Sequence, residues 1–377
     1  MEVIGNIVRT AGAGTENATV TVNGGMLDLN GNSIGGGSAV ITLAAQSGTL
    51  RNLGELNGGG SLTKTTEGVL ILDGANTYTG KSIIDAGKLS ISNENNLGSN
   101  PVASTADQLT LNGGTLLTTA DLTLDDSNRG ITVSAASSIE TASRTTATIS
   151  SMILGSANLS KEGQGTLVLT ALQSGHTGSV TINAGTLAGN GGTGGNLVVN
   201  SGGTLAPGTS PGQFTVTGDL TVNSGGTLLF ELGGMTTNSE VIVMNEISTN
   251  GNLNGLIGSG TVTSWESSYS LVTSQHNQIG VGGAAPAISG NLTLGALLNS
   301  YNPAYGDVFD LLDWVGLGPI SGSPTFDFNA VTLDPGLVFN TDLFASNGIL
   351  VVVPEPSRAC FILIGLLGLM MRRRRAL

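Results

Sequence analysis

Apolar and polar residues alternate along this chain in short runs, and each run ends in a small, flexible corner. Val20-Thr-Val-Asn-Gly-Gly-Met-Leu27 sets the pattern, and Leu109-Thr-Leu-Asn-Gly-Gly-Thr-Leu116 repeats it. It returns as Val180-Thr-Ile-Asn-Ala-Gly-Thr-Leu187 and as Leu220-Thr-Val-Asn-Ser-Gly-Gly-Thr-Leu228. Period-two alternation puts Leu, Val and Ile on one face of a strand and Thr on the other. Asn and Gly accept positive φ, so each copy reads as strand, corner, strand. A unit this short cannot bury its own apolar face, and its recurrence predicts stacked rungs, a solenoid.

A longer duplication contains two of these units. Leu62-Thr-Lys-Thr-Thr-Glu-Gly-Val-Leu-Ile-Leu72 aligns with Leu159-Ser-Lys-Glu-Gly-Gln-Gly-Thr-Leu-Val-Leu169, and both run on to an Ala-Gly step, at Ala86-Gly87 and Ala184-Gly185. The first copy continues Gly74-Ala-Asn-Thr-Tyr-Thr-Gly80; the second departs from it over 172–176. These copies resemble the autotransporter-associated β-strand repeat of secreted bacterial passenger regions. The expected fold is all-β: a right-handed parallel β-helix with Leu, Val and Ile inward and ladders of Thr, Asn and Ser outward. At roughly 20 to 25 residues per rung, residues 1–235 would build about ten rungs, a rod roughly 50 Å long. A β-sandwich also fits evenly spaced short strands. Only Tyr78, Phe214 and Phe230 are aromatic before Glu240, which favours the solenoid over an aromatic-plugged sandwich.

Aromatic residues become frequent after Glu240, from Trp265 to Phe344. A solenoid needs a cover for its last rung, and residues 241–352 are read as a β-rich, aromatic-containing capping module.

The chain ends on a third pattern. Val353, Pro354, Glu355, Pro356 and Ser357 precede Arg358, an uncharged apolar run over 359–371, and then Arg372, Arg373, Arg374 and Arg375. An apolar segment backed by a basic cluster is a membrane stop signal. Thirteen residues make roughly 20 Å of helix, short of a hydrocarbon core of roughly 30 Å, so the span requires thinning and snorkelling arginines. In order and spacing, residues 353–377 resemble the PEP-CTERM sorting signal of bacterial surface proteins. The resemblance implies a short C-terminal transmembrane or sorting helix, transient insertion through 359–371, and removal by an exosortase-type protease-transpeptidase. It also implies delivery to the cell envelope or an extracellular exopolysaccharide. Residues 1–6 show no basic n-region or apolar h-region, so an export signal is expected upstream of Met1.

Charge narrows the partners. The net charge is −13, and between Glu162 and Ser357 there is no Lys or Arg against 13 acidic residues. Nucleic-acid binding needs basic neutralisation of phosphates, so that class is excluded. Cys360 is the only cysteine, so no disulfide forms within the chain. His176 and His276 are the only histidines, one in the repeats and one beyond Glu240, which argues against a His-based metal or triad site. Asp121, Asp125 and Asp126 cluster, as do Asp307, Asp310 and Asp313. The second trio is the remaining metal candidate, for calcium, against the plainer reading of a solvated edge. No cofactor is expected. The reading is a non-enzymatic, exported surface or matrix protein, adhesin-like in character. The alternative is an extracellular carbohydrate-active enzyme or polysaccharide-binding protein on the same scaffold.

Overall fold

A computed structural model describes residues 1–9, 18–36, 40–208, 212–233, 278–298, 301–305, 307–314 and 318–355. The alternating runs become strands because they are rich in Thr and β-branched residues and are interrupted by Gly and Asn before a helix could propagate. Among the described residues the largest sheet has eleven strands, from Met26–Asp28 to Ala287–Ile288. A second, of eight, runs from Leu122–Leu124 to Thr325–Asp327. Two five-stranded sheets, one over Leu62–Lys64 to Ile153–Leu154 and one over Leu172–Gln173 to Leu312–Trp314, and the parallel pair Ala18–Val22 with Ile41–Ala45 make up the other walls.

Neighbours within each of these sheets follow one another along the chain, and their ladders are parallel. That order is the topology of a parallel β-solenoid, in which each turn stacks on the last. Ten strands of the eleven-stranded sheet precede residue 223. Turn length varies: 17 residues separate the partners Val180 and Leu197, and 27 separate Lys88 and Thr115.

The lumen is lined by columns of side chains that are aliphatic but for a buried lysine. Leu70, Leu89, Leu116, Ile139, Lys161, Ile182, Val199, Val222 and Ile288 are successive register partners along one wall. Ala147, Leu167, Leu187, Leu205, Leu228 and Leu292 form another. All are buried, Leu167 at 3% exposure. Burying a Leu or Ile stabilises by roughly 1.5–3 kcal/mol, so each rung contributes only by covering its neighbours.

Parallel stacking continues where description resumes after residue 277. Gln278–Val281 pairs with Gln213–Val216, and Asn291–Leu298 with Thr227–Gly233. Beyond it the pairing changes sense. Val308–Asp310, Ile349–Pro354 and Leu337–Asn340 form a three-stranded antiparallel sheet, joined by the one-turn helix Phe344–Asn347. Aromatic rings fill the junction: Phe326 on the last parallel strand meets Phe344 edge-on with centroids 5.4 Å apart, and Phe328 meets Phe339 at 5.0 Å. Residues 356–377, including the expected tail helix, lie outside the described residues. Among those described, no helix is long and apolar enough to cross a membrane.

Candidate functional site

The solenoid presents two outer walls of different chemistry. On the eight-stranded sheet Thr146, Thr166, Thr186, Thr204 and Thr227 are direct register partners on consecutive rungs. The column continues to Asn291 and Thr325. Beside it run Thr148, Val168, Ala188 and Ala206. Strands Thr146–Ile149, Thr166–Leu169, Gly185–Gly189 and Gly203–Pro207 carry no charge. Over these four rungs the face is neutral and bears a column of hydroxyls. The eleven-stranded sheet instead carries ion pairs, Lys88 with Glu140 at 2.5 Å and Arg51 with Asp73 at 3.5 Å. These partly exposed pairs contribute about 0–1 kcal/mol each.

At the corners, amide side chains stack from turn to turn. Asn223 donates to Asn200 at 2.7 Å, Asn200 to Asn183 at 2.8 Å, and Asn183 to Glu162 at 2.5 Å. This is what the Asn of the recurring strand–Asn–Gly unit does: it satisfies its own polar atoms along the ladder and fixes the corner.

Among the described residues three buried cations stand behind the corners, and reading by charge alone would place them on the surface. Lys64 and Lys161 are 0% and 1% exposed. They occupy the same place in the duplicated segment, two residues after Leu62 and Leu159, and strand alternation turns both inward. Lys161 Nζ donates to the carbonyls of Glu162 at 2.8 Å, Gly163 at 2.9 Å and Ala184 at 3.1 Å. Lys64 Nζ donates to the Thr66 carbonyl and to that of Ala86 at 3.4 Å. Burial pushes Lys64 below the usual lysine range and pulls Lys161 down to about 8, against a smaller opposing pull from nearby carboxylates.

The corner glycines are required by this arrangement. Gly185 has φ +65°, and a Cβ there would lie 2.4 Å from the Gly163 carbonyl oxygen. At Gly87, with φ +63°, a Cβ would lie 2.4 Å from the Thr66 oxygen and 2.9 Å from Lys64 Nζ. Arg129, the third cation, donates through Nη1 to Leu97 O at 3.0 Å, and through Nη2 to Gly98 O, Ser99 O and Asn100 Oδ1 at 3.1–3.2 Å. Its Nε lies 3.4 Å from Glu94 Oε1; burial raises the Glu94 carboxyl, and Arg129 opposes that rise.

Over 172–176, where the second repeat departs from the first, burial is kept at both equivalent positions and one of the two contacts is kept with it. Tyr78 is buried with its hydroxyl 2.7 Å from Ser82 Oγ, and His176, also two residues before a Gly, is buried with Nε2 2.9 Å from Ala157 O. Burial pushes His176 below its ordinary value. Asn76 accepts from Leu53 N at 2.8 Å, and Gln173 accepts from Ile153 N at 2.7 Å. Both are rung-to-rung contacts inside the wall.

Other residues singled out by sequence fall as follows. Asp121 accepts from Thr146 N at 2.7 Å, which ties one rung to the next, and Asp126 accepts from Asn128 N and Arg129 N at 2.9 Å, which shapes a turn. Asp307 accepts from the Tyr301 hydroxyl and from Ala304 N at 2.6 Å. Asp310 accepts from Gln278 Nε2 at 3.2 Å, and burial, with Asp313 adding to it, pushes its carboxyl up to about 7. Among the described residues no three acidic, imidazole or thiol groups are gathered so as to hold a metal ion, the trio Asp307, Asp310 and Asp313 included. In the tail motif, Val353 is buried and paired with Val338, Pro354 faces Leu337, and Glu355 N donates to Gly336 O at 2.8 Å. Pro356, Ser357, Arg372, Arg373, Arg374, Arg375 and Cys360 lie outside the described residues, as does His276.

Comparison with known proteins places the repeats. Residues 62–91 and 159–188 match the passenger-associated-transport-repeat family. Over 186 residues, 49% of this chain, the sequence is 35% identical to the adhesin BmaC autotransporter of Brucella suis biovar 1 (strain 1330). The matched stretch is 5% of that protein's length. The chain therefore carries passenger-type repeats, and Lys64 and Lys161 hold equivalent positions in its two matched copies.

Proposed function

We propose that this chain forms the rod of a surface-exposed, adhesin-like bacterial protein that is structural rather than enzymatic. The observation that carries the reading is the 186-residue likeness to an autotransporter adhesin, in a chain whose passenger-type repeats are wall segments of a parallel solenoid. Such a rod offers long, regular faces, and the threonine column is the most regular of them, with five consecutive rungs from Thr146 to Thr227. We assign residues 1–235 to the rod, 241–352 to a β-rich cap that takes in the last rungs, and 353–377 to a sorting tail.

On this reading the protein is exported and reaches the cell envelope or its exopolysaccharide. The tail inserts transiently through 359–371 and is cut by an exosortase-type enzyme near Val353, Pro354, Glu355, Pro356 and Ser357, with Arg372, Arg373, Arg374 and Arg375 as the stop signal. The order of proline motif, apolar run and arginines supports this route. The test is protease shaving of intact cells that express the chain behind a supplied signal peptide. Release of rod peptides from intact cells is expected; peptides appearing only after lysis would contradict surface display.

A further inference from the structure

The strands of this rod are nearly interchangeable, which leaves their stacking register weakly determined by hydrophobic burial. A slip of one residue sends every Leu outward and is forbidden. A slip of two residues keeps aliphatic side chains in the lumen and Thr outside, so the apolar columns alone discriminate poorly against it. Lys161 interrupts such a column, standing between Ile139 and Ile182. Lys64 likewise stands in line with Ile84, Leu111 and Val133.

Each buried cation takes an acceptor from an adjacent turn. Lys161 Nζ reaches Ala184 O, 23 residues on, and Lys64 Nζ reaches Ala86 O, 22 residues on. Arg129 reaches back 29 to 32 residues for four acceptors. A two-residue slip moves those oxygens by about 6.6 Å. Each lysine then keeps its own-turn acceptors and loses its one inter-turn partner, Arg129 loses all four, and a buried cation short of acceptors is penalised more than a mispacked Leu.

We propose that Lys64, Arg129 and Lys161 are register pins, buried cations whose acceptors on the neighbouring turn line up only in the native stacking. The two matched repeats each carry one such pin. The rod thereby obtains specificity from groups that add little net stability, as buried polar residues do when they select one packing among several. The corner glycines belong to the same device, because a side chain at Gly87 or Gly185 would push against the carbonyls that surround the ammonium.

Disulfide mapping in the full chain, with Cys360→Ser as background, tests the proposal. Ser160 and Thr181 are register partners, so Ser160→Cys with Thr181→Cys reports native stacking. Ser160→Cys with Asn183→Cys reports a slip of two residues, which native geometry holds too far apart to bridge, at about 8 Å between Cα atoms. Refolding under a thiol buffer should give only the native bridge when Lys161 is present. Lys161→Met should raise the slipped bridge by about tenfold or more, and Lys64→Met should do the same for Thr63→Cys with Asp85→Cys. Unchanged slipped bridging in either folded variant overturns the proposal. Failure of both to fold overturns it too, since exchanging a pin for an apolar side chain of similar length should cost register and not the fold.

Discussion

Lys161 Nζ lies 3.1 Å from the carbonyl oxygen of Ala184, so one buried ammonium ties the corner of its own rung to the corner of the next. The glycine that follows, Gly185, is held at φ +65° against the same cluster of carbonyls. The recurring Ala-Gly step is therefore a consequence of what the lysine gathers.

The inward and outward faces differ sharply in what they tolerate. Leu167 is 3% exposed in an aliphatic column, and Leu167→Asp should cost more than about 3 kcal/mol, because the carboxylate gives up its hydration on entering the lumen and leaves a packing gap behind it. Thr181 lies on the outer side of its strand and half-buried, and Thr181→Asp should cost less than about 1 kcal/mol. Thermal unfolding of both variants checks this; equal losses would reverse the assignment of faces.

Two glycines separate backbone conformation from close approach. Gly24 has φ +83° with nothing within 4 Å of an added Cβ, so Gly24→Ala should cost about 1 kcal/mol. Gly185→Ala adds the overlap with the Gly163 oxygen and should cost roughly 3 kcal/mol or more. Chemical denaturation reads the difference, and matching values would show that the corner has room.

Lys161 should leave a signature in the alkaline range. Its folded value of about 8 lies below the unfolded 10.5, so between those limits the unfolded chain binds the extra proton. Stability attributable to this residue therefore rises with pH across that window and is flat below it. The melting temperature of the natural chain minus that of Lys161→Met should climb from pH 8 to pH 10. A difference that stays constant would mean that the carbonyls hold the ammonium charged throughout.

Much of the fold is legible in the sequence because alternation and corner chemistry agree at every copy. Val180 to Leu187 shows strand, Asn, Gly and strand in the order the solenoid uses them. The buried cations escape a reading by charge class, although Leu62-Thr63-Lys64 already places lysine on the face of leucine. His176 and Gln173 escape for another reason. Gln173 makes the rung-to-rung contact that Asn76 makes in the first copy, whereas His176 bonds to the preceding rung where Tyr78 bonds within its own, and residue type shows neither. Unequal turns, 17 residues from Val180 to Leu197 and 27 from Lys88 to Thr115, hide the register further, since no fixed period aligns the rungs.

The tail makes a separate prediction. In a host with a matching exosortase and a supplied signal peptide, the mature protein should end near Pro354-Glu355-Pro356, without the arginines at 372–375. Replacing Pro354 and Pro356 by Ala should spare membrane insertion and block processing. Mass spectrometry of the mature C-terminus decides it, and a released protein still ending at Leu377 would defeat the sorting reading.

Surface adhesion by the intact rod is the central claim, and attachment of cells tests it most directly. Cells displaying the chain are compared, in flow over matrix-coated and bare surfaces, with cells displaying equal amounts of Leu167→Asp. The account predicts firm attachment by the natural chain and its loss when the rod is broken, with Thr181→Asp attaching as the natural chain does. Equal retention of all three, or none above undecorated cells, would contradict it.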